Sequence, residues 1–308
     1  MNNFRIFIFF ACIFICLLPF SSPPVGLLLG ILLSQTIGHP YQKQNRKATK
    51  ILLQVCVVGL GFGMNLFEAA KAGKEGFIFT ASTICLTLLA GIILGKIFKI
   101  EEKISILISS GTAICGGSAI AAVSPVIEAE EGQISVALGT VFILNSVALV
   151  LFPFIGTYFD LSQPQFGLWS AIAIHDTSSV VGAAQKYGEQ ALQIATTVKL
   201  ERALWIIPLT FATSLFYKSK NKKVNIPYFI FFFIAAMALN TFIPQLHPAG
   251  QEIFQLAKKG MTLTLFLIGA GLSREALKTV GLKPLLLGVM LWVIISVSSL
   301  IVILNSGA

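Results

Sequence analysis

The stretch ISILISSGTAICGGSAIAAVSPVI, residues 104–127, is apolar over a length that suits a bilayer, yet it is poorly made for a continuous helix. About 20 residues at ~1.5 Å rise each cross a hydrocarbon core ~30 Å thick. Gly116 and Gly117 stand side by side in its middle, small hydroxyl residues flank them, and Pro125 sits near its end. Glycine and proline weaken helices most, and lipid offers no partner for freed backbone groups. Two readings are open: a helix broken at mid-depth, or an unbroken one whose small residues form a close packing face. A break would leave helix-start N–H groups, with Ser118, placed to hold an anion.

Working outward, ten further apolar blocks lie at Phe4–Phe20, Pro24–Ile37, Ile51–Glu68, Phe77–Ile97, Ile134–Phe154, Phe166–Gln185, Ala191–Phe216, Tyr228–Ile243, Ile253–Leu272 and Leu285–Leu304. The block at Pro24–Ile37 is short for a span and the block at Phe166–Gln185 is heavily interrupted. With 56% hydrophobic and 11% charged residues, the chain lies outside the usage of soluble domains. The expected fold is all-α: one polytopic membrane domain, residues 1–308, of about ten or eleven transmembrane helices with discontinuous or re-entrant segments. Residues 1–22 form a first helix or a signal-like segment, about 23–156 a first half, and about 157–308 a second. The net charge of +9 sits in short loops between blocks, a pattern that orients a chain in a membrane and argues against nucleic-acid binding. The five cysteines lie in apolar segments without metal-ligand spacing, so no disulfide framework, metal site or cofactor is expected.

Lys43, Arg46, Lys47 and Lys50 mark one basic loop, Lys218, Lys220, Lys222 and Lys223 a second, and Arg274, Lys278 and Lys283 a third. Eleven crossings put all three in the cytoplasm with the amino terminus, and place the acidic loop Glu128, Glu130, Glu131 and the carboxyl terminus on the other side. Three internal matches suggest two related halves: Gly61–Gly73 with Gly269–Gly281, Ile114–Ala119 with Ile174–Ser179, and Thr140–Asn145 with Thr197–Arg202. On eleven crossings the first match joins helices of opposite direction, as inverted repeats require, but the second joins segments running the same way. Either a crossing is miscounted, with a re-entrant hairpin around Phe166–Gln185, or the match is chance.

Charge at mid-depth marks the candidate site. Lys199 and Arg202 lie ~12 and ~16 Å along a helix starting at Ala191, where each costs about 3 kcal/mol to insert. They share a face, whereas Glu201 points elsewhere. They line a substrate or ion pathway, or they belong to a structural ion-pair network. Asp176 either caps a helix starting at depth or takes part in the chemistry. The substrate-binding set is Thr112, Cys115, Gly116, Gly117, Ser118, Asn145, Thr177, Ser178, Ser179, Lys199 and Arg202, and the proton- or ion-coupling set is His175, Asp176 and Glu201. Gln54 and Asn240 read as helix-bridging polar residues, and Asn65 and Ser273 as weaker candidates.

The strings Gly111–Ala122, Ala173–Val181 and Ala195–Leu200 carry a resemblance, covering nearly the whole chain, to the YeiH-like family of bacterial inner-membrane proteins, named for sulfate export. Gly117 and Glu201 depart from that family's pattern, which has alanine and a small polar residue there. The resemblance implies a multi-pass inner-membrane secondary transporter shaped like the cation/proton antiporter and bile-acid symporter group. Its substrate would be a small anion such as sulfate, sulfite or a sulfonate, with coupling to H⁺ or Na⁺. The bilayer is its surroundings, and assembly as a homodimer is compatible with the sequence. The rival expectations are a cation/proton antiporter using Asp176 and a membrane scaffold that transports nothing. An enzyme is not expected, because no activated nucleophile or metal pair stands out.

Overall fold

A computed structural model describes residues 2–18, 21–217, 228–272 and 280–305. Lys218, Lys220, Lys222, Lys223, Ser273, Arg274 and Lys278 lie outside the described residues. The elements are α1 (Asn2–Leu17), α2 (Pro23–Thr36), α3 (Gln42–Gly61), α4 (Leu66–Ile97), α5 (Glu102–Ala113), α6 (Gly117–Val123), α7 (Glu131–Tyr158), α8 (Gln163–Ala173), α9 (Thr177–Tyr187), α10 (Glu189–Leu204), α11 (Ile206–Phe216), α12 (Phe229–Phe242), α13 (His247–Gly271) and α14 (Leu282–Asn305). No strand occurs among the described residues.

The pattern of exposure is that of a protein in lipid. Phe7, Phe14, Leu89, Phe211, Leu256 and Ile301 are exposed, while Thr196, Lys199 and Arg202 are fully buried. Water would penalise so much outward apolar surface, and hydrocarbon does not. Helices 79–97, 131–158, 244–271 and 282–305 are long and apolar enough to span a membrane on their own. Local sequence sets the helix starts. Two prolines open α2, Asn65 accepts from the N–H groups of Phe67 and Glu68 to open α4, and reciprocal side-chain caps join Glu130 to Gln133 and Ser162 to Gln165. Pro208 lacks the N–H that would bond the Leu204 carbonyl, and α10 gives way to α11 there.

The two interrupted segments, for which discontinuous or re-entrant helices were expected, both turn back. Lys103 Nζ donates to the Glu128 carbonyl at 2.8 Å, and the Gln133 amide donates to Glu101, so α5–α6 leaves and returns to one place. In the same way, Tyr187 Oη donates to the Leu161 carbonyl at 2.6 Å, and the rings of Phe166 and Tyr187 stack 3.8 Å apart. Gln163 Oε1 accepts from Gln190 N at 3.0 Å, so α8–α9 is also a re-entrant hairpin. The two hairpins enter from opposite faces. Tyr217 Oη at the end of α11 donates to Glu102, tying hairpin α5–α6 to the face of the basic loops. Gln193, near the start of α10, donates to the Gly63 carbonyl beyond the far end of α3, tying α8–α9 to the other face.

Among the described residues, nine helical elements (α1, α2, α3, α4, α7, α10–α11, α12, α13 and α14) run from one face to the other and two hairpins turn back, which together account for the eleven apolar blocks. The acidic loop at Glu128–Glu131 therefore lies on the face of the basic loops, not opposite them. The conflict among the internal matches also disappears, because all three now join elements of opposite direction. Neighbour relations repeat accordingly: α2 packs on α13 as α12 does on α3, α4 on α5 as α14 on α8, and α5 on α7 as α8 on α10. The second repeat is circularly permuted, since its hairpin and α10 come first in the chain. Close approach at the α2–α13 contact depends on glycine. A Cβ at Gly30 would collide with the Phe266 carbonyl and come within 2.7 Å of Ala270 N.

Candidate functional site

The hairpin tips meet at mid-depth. In the first, α5 ends at Ala113, and Gly116, with φ of 64°, lets its N–H reach back to the Gly111 carbonyl at 2.8 Å. That left-handed turn is one that a side chain would strain. In the second, α8 ends at Ala173 and the chain runs extended through Ile174 before Asp176 caps α9. The Asp176 carboxylate accepts from Ser179 N at 2.7 Å, Ser178 Oγ at 2.6 Å and Ser179 Oγ at 3.0 Å. The tips touch: a Cβ on Gly116 would lie 3.4 Å from that of Asp176.

Ending a helix at mid-depth leaves carbonyls, at the negative end of its dipole, with no water to bond. α10 supplies the partners. Lys199 Nζ donates to the carbonyls of Ile174 (2.6 Å) and Ala171 (3.2 Å) at the end of α8. Arg202 donates through Nε to the Ala113 carbonyl at the end of α5 (2.9 Å), again through Nη2, and through Nη1 to Thr83 Oγ1 on α4 (3.0 Å). Asn145, which matches Arg202 in the internal repeat, grips the other tip, its Oδ1 accepting from His175 N at 3.1 Å. Each hairpin tip is thus held by the partner repeat's helix.

A cavity of about 1350 Å³ opens on the face of the basic loops and ends at the tips. Its outer wall carries Asn45, Thr49, Lys50 and Gln54 of α3, and its inner end Cys115, Gly117, Ser118, Asp176, Thr177 and Ser178. Of the residues expected at the site, these last six line the cavity. Thr112, Gly116, Asn145, His175, Ser179, Lys199 and Arg202 lie behind them, within the tips. The expectation that Lys199 and Arg202 present their donors to a substrate meets a different arrangement: Lys199 donates to the carbonyls ending α8, and Arg202 to the carbonyl ending α5 and to the Thr83 hydroxyl. Glu201 is turned away, accepting from Thr80 Oγ1 and Trp205 Nε1.

Several groups at the tips lack partners. Thr112 Oγ1, Asn145 Nδ2 and both His175 ring nitrogens are buried with no hydrogen bond among the described residues. Buried polar groups are almost always bonded, so such a cluster marks a place where a ligand or water belongs. Two features escaped the sequence reading. Thr80, Thr83 and Thr87 repeat at helical spacing within α4, a signal that could have identified the wall holding Arg202 and Glu201. Gln54, read as a helix bridge, lines the cavity instead, because α3 turns its polar face inward. Asn240 does bridge helices, donating to the Met64 carbonyl at 3.4 Å.

Comparison with known proteins agrees with this picture at the level of family. Residues 11–288 match the family described as conserved hypothetical protein 698. The chain belongs to that family. It is 57% identical over 284 residues to a UPF0324 membrane protein of Bacteroides thetaiotaomicron, covering 91% of this chain and 85% of that one. A UPF0324 membrane protein of Porphyromonas gingivalis is 53% identical over 93% of this chain and 89% of its own length. One from Photobacterium profundum is 50% identical over 98% and 92%. No solved structure matches the chain. These relatives are membrane proteins by name, and this member of the family is likewise built to sit in a membrane.

Proposed function

We propose that the protein is a secondary transporter of a small anion, binding it at the hairpin tips and releasing it to one face at a time. One observation carries this reading: two re-entrant hairpins of inverted repeats meet tip to tip at the inner end of a large cavity. A scaffold needs neither the cavity nor the breaks at mid-depth. Inverted repeats around a mid-depth site suit a protein with two related states of opposite access.

The charge at the tips favours an anion. Lys199 and Arg202 outnumber Asp176, and the N–H groups opening α9 point the same sign at the cavity. Sulfate, sulfite or a sulfonate fits both this field and the resemblance to the YeiH-like proteins. A cation antiporter centred on Asp176 is disfavoured, because that carboxylate is already engaged by three donors as the cap of α9. In a bacterial inner membrane the basic loops and the amino terminus would be cytoplasmic and the carboxyl terminus periplasmic. The test is flux of labelled sulfate, sulfite and methanesulfonate in proteoliposomes. A Cβ at Gly117 would make ordinary van der Waals contact with Leu138 at 3.4 Å and Phe142 at 3.7 Å, and the position lines the cavity. Gly117→Phe should therefore keep the fold and block anion flux by filling the end of the cavity. Sodium-driven proton movement without anion flux would overturn the proposal in favour of the antiporter.

A further inference from the structure

His175 is the one imidazole at the tips. It is fully buried, and both ring nitrogens lack a partner. Its own backbone N–H is held by Asn145, while the polar atoms of the ring are left open. A neutral imidazole has one donor and one acceptor to satisfy, and burying both unmet is costly unless the site has another state in which they are used.

The charges around it decide what that state is. The charged or titratable groups at the tips are Lys199 and Arg202 from α10, Asp176 beside His175, and the thiol of Cys115 from the other hairpin. Glu201 is turned toward Thr80 and Trp205. With the thiol and imidazole neutral, the tips carry one net positive charge. A singly charged anion balances that by itself. A doubly charged anion leaves one negative charge in surroundings that screen poorly, and a proton on His175 removes it. Conversely, a proton on His175 without the dianion adds a further positive charge beside Lys199 and Arg202. Proton and dianion therefore stabilise each other, and the coupling acts equally in both directions.

We infer that a divalent oxyanion binds at the hairpin tips together with one proton carried by His175, whereas a monovalent one binds without a proton. This rests on the anion-transport reading above and specifies its coupling ion. Sodium is not needed: the mid-depth carbonyls of Ala113, Ala171 and Ile174, which would suit a metal cation, are occupied by Arg202 and Lys199.

The experiment is calorimetric titration of the purified protein with sulfate and with methanesulfonate, in buffers of differing ionisation heat so that protons are counted. Over the pH range in which His175 is neutral in the free protein and protonated in the complex, sulfate should bring about one proton per site and its affinity should fall about tenfold per pH unit. Methanesulfonate should bring none. His175→Gln should abolish the proton uptake and make sulfate affinity independent of pH. His175→Asn repeats the test should the glutamine variant misfold, and the wild-type count and slope stand without either. Sulfate binding with no proton uptake, or uptake persisting without His175, would overturn this inference while leaving anion transport intact. Failure of any anion to bind would overturn both.

Discussion

Arg202→Met separates the two roles that a buried cation at this depth could have. In the structure Arg202 is fully buried, and its guanidinium serves the Ala113 carbonyl and Thr83 Oγ1. Removing it strands the end of α5 and a buried hydroxyl. Bonds to a charged donor contribute roughly 1.5–3 kcal/mol each, and a cation at a partly buried helix C-terminus up to ~2 kcal/mol. Part of this is offset, because the variant no longer has to bury a guanidinium. A net loss of about 3 kcal/mol follows. With unfolding entropy of ~2.1 cal/mol/K per residue, a chain of this length should lose about 5 °C in Tm. Arg202→Lys should lose roughly half as much, since an ammonium cannot fork between Ala113 and Thr83. The assay is thermal unfolding in detergent, read by the fraction remaining monodisperse. An Arg202→Met protein with unchanged Tm but no anion binding would refute the reasoning and make Arg202 a ligand rather than a cap.

Other predictions follow from the same geometry. Gly116→Ala forces a side chain into a left-handed turn and to 3.2 Å from Val141, so it should cost about 1–2 kcal/mol and abolish transport by displacing the tip, measured by unfolding and flux together. Gly30→Leu should prevent assembly of α2 against α13, seen as loss of monodisperse protein in gel filtration. Glu201→Gln should leave anion flux unchanged within about twofold, since that side chain faces Thr80 and Trp205 rather than the cavity.

Much of the site could be read from sequence because lipid tolerates so little. Paired glycines in residues 104–127, Asp176 within an apolar block and cations at 199 and 202 each violate what hydrocarbon allows, and each lies at the tips. Hydropathy could not tell a helix that crosses from a hairpin that returns, because both present the same length of apolar sequence. The deciding signal was the direction of the internal matches, which contradicted a count of eleven crossings and agrees with nine plus two hairpins. The role of Lys199 and Arg202 was open for a related reason. Depth predicts that a cation needs partners, but only the fold shows that those partners are the carbonyls at the ends of α5 and α8. The wall residues of α3 were missed because Asn45, Thr49 and Lys50 precede the apolar block Ile51–Glu68, where polar residues ordinarily face headgroups.

The central claim is that α5–α6 and α8–α9 turn back within the membrane, and the ends of α7 test it most directly. Single cysteines at Lys47, Glu131 and Tyr158, placed in a background free of other cysteines, are labelled with an impermeant reagent in vesicles of known sidedness. The two hairpins predict that position 131 reacts from the same face as position 47, and position 158 from the opposite face. Labelling of 158 with 47, and of 131 from the other side, would mean that both segments cross and would contradict the account.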